Sequence, residues 1–66
     1  MKLFFQRSNG EEYFLREVDS VESASDAIVK FLADKNYKSY YKIWTELEDK
    51  YVVDVGSWSE FLILYK

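Results

Sequence analysis

The chain closes on Phe61-Leu62-Ile63-Leu64-Tyr65, five consecutive apolar residues. A run of this length and composition, entered through Gly56-Ser57, reads as a β-strand. Successive side chains of a strand point to opposite faces of its sheet, so a strand with one wet face alternates apolar with polar. This one does not. Phe61, Ile63 and Tyr65 go to one face, Leu62 and Leu64 to the other, and both faces need cover. The fold therefore has to supply something for each side of its last strand.

The means are limited. A chain of 66 residues is one domain, and at that size only roughly 60% of the unfolded surface becomes buried. With no cysteine and no histidine, disulfides and the usual zinc ligands are excluded. Good packing or self-association remains. Two Trp, six Tyr and five Phe bring far more aromatic area than one helix on one small sheet can hide, since each ring buries on the order of 150–250 Å². Clustered surface aromatics mark contact sites.

"FFQRSNGEEYFLREV" reads as a β-hairpin about Asn9-Gly10, a pair that tolerates the positive φ of a type I′ turn. That turn sets Ser8 opposite Glu11, Arg7 opposite Glu12, Phe5 opposite Phe14 and Lys2 opposite Glu17. "DSVESASDAIVKFLADKN" reads as a helix, capped by Asp19 or Ser20, with Asp19-x-x-Glu22 resembling a capping box. Val21, Ala24, Ile28, Phe31 and Leu32 form its apolar face, and Asn36 suits a left-handed helix end. "YYKIWTEL" and "YVVDV" read as strands about a three-residue loop, Glu48-Asp49-Lys50, with Leu47 opposite Tyr51, Thr45 opposite Val53 and Ile43 opposite Val55. The turn "GSWS" then sets Val53 opposite Leu62 and Tyr51 opposite Leu64. The expected fold is α+β, a single helix on one face of an antiparallel sheet of about five strands in the order β-β-α-β-β-β.

In these registers Ile43, Leu47, Tyr51, Val53, Val55, Leu62 and Leu64 face the helix. Tyr40, Lys42, Trp44, Glu46, Val52, Asp54, Phe61, Ile63 and Tyr65 face away. One helix covers one face, so the sequence assigns a protein interface to Tyr40, Trp44, Phe61, Ile63 and Tyr65, rich in the residue types of binding hot spots. Its partner is a second copy in a homodimer, or another protein. The alternative is a second small core closed within the monomer. Trp58 either folds onto the helix or faces a partner.

Catalytic signals are sparse. Without His or Cys there is no Ser-His or Cys-His nucleophile pair, and the spacing of the twelve carboxylates singles out no acid/base pair. The expectation is a noncatalytic protein without cofactor or metal. "KNYKSYYK" interleaves lysine with tyrosine, the pattern of a single-strand nucleic-acid surface, which would use Lys35, Tyr37, Lys38, Tyr40 and Lys42. A net charge of −3 opposes general phosphate binding and raises a third reading, an acidic DNA mimic. No run approaches the roughly 20 apolar residues of a membrane span, and the N-terminal apolar run is too short for a signal peptide. The expected location is cytoplasmic, with no membrane partner.

"VDVGSWSEFLILY" resembles the end of certain short proteins encoded by phages and prophages of Gram-positive bacteria, in which an Asp-x-Gly-Ser turn leads into an aromatic closing strand. The matching residues are Asp54, Gly56, Ser57, Glu60 and Phe61, within about a fifth of the chain. The resemblance implies a viral origin, a host-cytoplasm location and action by binding a host protein. It brings no catalytic residues.

Overall fold

The computed structural model describes residues 1–36, 42–57 and 59–66. Among them the chain forms β1 (Lys2–Gln6), β2 (Glu12–Glu17), α1 (Val21–Asp34), β3 (Ile43–Glu46), β4 (Lys50–Asp54) and β5 (Phe61–Tyr65). The strands make one antiparallel sheet in the order β2-β1-β5-β4-β3. This is the α+β fold expected, and its strand order explains the closing run. β5 is the central strand, bonded to β1 on one side and β4 on the other, so its residues have neighbours across both edges and on both faces.

Helix α1 carries the chain from β2 at one edge of the sheet to β3 at the other. It therefore crosses one face. Ala24, Ile28 and Leu32 pack there with Leu3, Phe5, Val18, Val53, Val55, Leu62 and Leu64. Phe31 adds its ring 5.1 Å from that of Phe5. Val21, expected on the buried face, is exposed at the first helical position. Ser20 is the N-cap, extended at φ −156°, and its hydroxyl accepts the Ser23 N–H at 3.0 Å. With Ser20 as the cap, the third helical position is Ser23 and not the Glu22 of the expected Asp19-x-x-Glu22 box; the Ser23 hydroxyl donates instead to the Asp19 carboxylate at 2.9 Å. The helix ends where Asn36 turns left-handed at φ 56° and donates its N–H to Ala33, the conformation expected of that residue.

Both hairpins depart from the expected registers, each by one residue. At Asn9-Gly10 the Gly10 N–H donates to the Arg7 carbonyl and the Arg7 N–H to the Glu11 carbonyl. Gly10 is left-handed at φ 90° whereas Asn9 is not. The loop is thus Ser8-Asn9-Gly10, a turn followed by a left-handed glycine, rather than the two-residue type I′ turn. The Asn9 side chain stabilises it by accepting the Glu11 N–H at 3.0 Å. Pairing then runs Gln6 with Glu12, Phe5 with Tyr13 and Phe4 with Phe14. A bulge between Leu3 and Phe4 absorbs the extra residue, so Lys2 still faces Glu17 as expected, while the Phe5–Phe14 and Arg7–Glu12 pairs do not form in register.

In the second hairpin the Leu47 N–H donates to the Lys50 carbonyl at 2.7 Å, leaving a two-residue loop, Glu48-Asp49. Tyr51 faces Glu46, Val52 faces Thr45, Val53 faces Trp44 and Asp54 faces Ile43. A one-residue slip turns every side chain of a strand to the other face. Ile43 and Leu47 are therefore exposed, and Trp44 joins the helix-side core beside Tyr51, their rings 5.8 Å apart. The β4–β5 register holds as expected, with Val53 opposite Leu62 and Tyr51 opposite Leu64.

Candidate functional site

The registers fix what the outer face, away from α1, presents. Its middle row runs Phe14, Phe4, Ile63, Val52, Thr45 across all five strands. On one side of it lies a row of Glu12, Gln6, Phe61, Asp54 and Ile43. On the other side Glu17, Lys2, Tyr65 and Lys50 stand in line. The face is banded: an apolar centre, an anionic band through Glu12 and Asp54, and a band whose cations are Lys2 and Lys50.

Ile63, at the centre, is only 2% exposed although it does not belong to the helix-side core. Its cross-strand neighbours are Phe4 and Val52, and Phe61 and Tyr65 stand two residues away on the same face. Tyr65 does most to close the surface. Its ring meets Phe4 edge-on at 5.3 Å, and its hydroxyl reaches over β1 to donate to Glu12 at 2.6 Å. The Lys50 ammonium lies 5.6 Å from the Tyr65 ring centre. Bonding to the Glu12 carboxylate, helped by burial, pushes the Tyr65 hydroxyl up to about 12. Phe14 stacks edge-on against Phe4 at 5.5 Å yet stays 56% exposed, and Ile43 at the opposite corner is 54% exposed. Aromatic side chains thus cover the middle of the face and leave its flanks in water.

Of the residues the sequence assigned to an interface, Phe61, Ile63 and Tyr65 lie together on this face. Trp44 does not. The β3 register turns it to the helix side. Tyr40 lies outside the described residues. Phe4, Phe14 and Ile43 belong to the face as well: the expected β3–β4 register put Ile43 on the helix side, and Phe4 and Phe14 had no assigned face without the pairing of β1 with β5. The three-residue loop Ser8-Asn9-Gly10 sets Phe14 opposite Phe4, and the pairing of β1 with β5 sets Phe4 beside Ile63.

The basic-aromatic segment is only partly described. Tyr37, Lys38 and Tyr40 fall outside the described residues, and Lys42 is exposed just before β3. The Lys35 ammonium sits over the rings of Phe5 at 4.8 Å and Phe31 at 5.4 Å, covering the end of the core. Between α1 and β2 lies an open cavity of about 730 Å³, lined by Met1, Arg16, Val18, Ser23, Ala27 and Lys30 among others. Among the described residues no charged or polar side chain is buried, and no helix is long and apolar enough to cross a membrane. Comparison with protein-family models, with curated proteins and with solved structures finds no match.

Proposed function

We propose that the protein is a small noncatalytic binding module that recognises another protein through the outer face of its sheet. The observation that carries this reading is the middle row. Phe14, Phe4, Ile63 and Val52 run unbroken across four adjacent strands on the side opposite the helix, and Phe14 is more than half exposed at the row's end. A flat apolar strip flanked by charge is the anatomy of a protein contact, with a core that desolvates and a rim that sets orientation. Aromatic rings suit the task because they bury large areas with few torsions to freeze.

The test uses the two exposed flanks, where substitution spares the packed centre. In a Phe14→Lys, Ile43→Lys variant the far-ultraviolet circular dichroism should match wild type, with the thermal midpoint lowered only by loss of the Phe14–Phe4 ring contact. Its association should be lost, whether with itself in sedimentation velocity or with a protein captured from lysate. Association unchanged in the folded variant would move the binding surface off this face.

A further inference from the structure

We infer that the occupant of the outer face is a second copy of this chain, stacked face to face with its strands antiparallel to those of the first. The inference rests on the protein-binding reading of that face and adds the partner and its orientation.

Charge complementarity within one surface points to this partner. A two-fold dimer uses the same patch twice, so the patch has to match itself. Two ways of stacking keep the strands of both sheets aligned, as sandwiches prefer. With the two-fold axis along the strands, β1 lies over β4 of the other copy. Lys2 then meets Lys50 twice, and neither Glu12 nor Asp54 meets a cation. With the axis across the strands, each strand lies over itself with its ends exchanged. Lys50 then meets Asp54 twice, both on β4, and Lys2 meets Gln6 on β1. Along β5, Ile63 meets Ile63 and Tyr65 meets Phe61, so the centre stays apolar and aromatic. Glu17 falls over Glu12 at the β2 edge, one unfavourable contact by symmetry repeated. Glu12 already accepts the Tyr65 hydroxyl. The antiparallel stack alone gives opposite charges across the contact.

The area suits a reversible pair. Five strands about 4.8 Å apart and about 17 Å long give roughly 400 Å² of flat sheet per copy. Two such faces, about 800 Å² together, fall short of the roughly 1,000 Å² that a stable interface clears, so the pair is expected to be weak and transient, with its charged rim setting the orientation.

Charge reversal tests both the partner and its orientation. Sedimentation equilibrium at low ionic strength should show a monomer–dimer equilibrium for wild type. Lys50→Glu and Asp54→Lys should each weaken it at least about tenfold, because two attractive pairs become repulsive. The double variant should return to within a few-fold of wild type. Asp54 also accepts the Gly56 N–H at 2.9 Å. If Asp54→Lys misfolds by circular dichroism, Asp54→Asn keeps that acceptor, and intermediate weakening is expected. A dimer strengthened by Lys50→Glu would overturn the antiparallel stack, because only Lys2–Lys50 opposition predicts it. A double variant no better than the singles would do the same. A wild type that stays monomeric at millimolar concentration overturns self-pairing. If a Phe14→Lys, Ile43→Lys variant then loses a different captured protein, the binding face itself survives.

Discussion

The bond from the Tyr65 hydroxyl to Glu12 ties β5 to β2 across the intervening β1. Because the folded state holds this phenolic proton up to about pH 12, whereas an unperturbed tyrosine releases it near pH 10, the bond links stability to alkali. Its contribution is complete below about pH 10 and is lost as pH rises toward 12. Tyr65→Phe should therefore lose less stability than wild type between pH 9 and about 12 in urea titrations. Parallel losses would mean the bond is absent. Two other residues carry local terms that a single substitution reads. Gly10 sits at φ 90° with open space around its Cα, so Gly10→Ala costs only backbone strain, about 1 kcal/mol. An unchanged denaturation midpoint would remove the left-handed turn. Ser20→Ala removes the helix cap and should cost about 1 kcal/mol, with Ser20→Asp close to wild type.

At the scale of elements, the decisive quantity is register. Helix α1 was legible from its apolar spacing, its serine cap and Asn36, because those signals are local and independent of the sheet. The hairpins existed where the turn residues placed them, yet each slipped by one. Asn9-Gly10 supports both a two-residue and a three-residue loop, and Glu48-Asp49 contains no glycine or asparagine to choose between lengths. What chose was packing. The observed β3 register places Trp44 on the helix-side core beside Tyr51 and leaves Ile43 in water, whereas the other register does the reverse. The larger side chain gains more by contact. Thus Trp44→Ala should destabilise by about 2 kcal/mol, less than a fully buried ring because Trp44 is only half-buried. Ile43→Thr should stay within about 0.5 kcal/mol, as surface changes do. The opposite ranking in chemical denaturation would restore the three-residue loop. The same slip decided the candidate site: three of its residues, Phe61, Ile63 and Tyr65, were readable from period two within one strand. Phe4, Phe14 and Ile43 depended on pairings between strands, which no single run of sequence encodes.

For the whole molecule, everything follows from the last strand entering the middle of the sheet. A central strand with apolar residues on both faces demands a layer on each side. The chain has one helix among its described residues, and that helix lies on the side of Leu62 and Leu64. On the other side Phe4, Tyr65 and Lys50 form a partial roof over Ile63, with Phe14 and Ile43 left exposed at its margins. In the proposed dimer a second copy completes this roof. Methyl and aromatic NMR spectra followed over a dilution series test it most directly, because they report the two faces separately. Concentration-dependent shifts are expected for Ile63, Val52, Phe4 and Phe14, with the methyls of Ile28, Leu32 and Val53 unmoved. Shifts confined to the helix side, to the α1–β2 cavity or to the edge-strand amides, or no shifts at all, would contradict it.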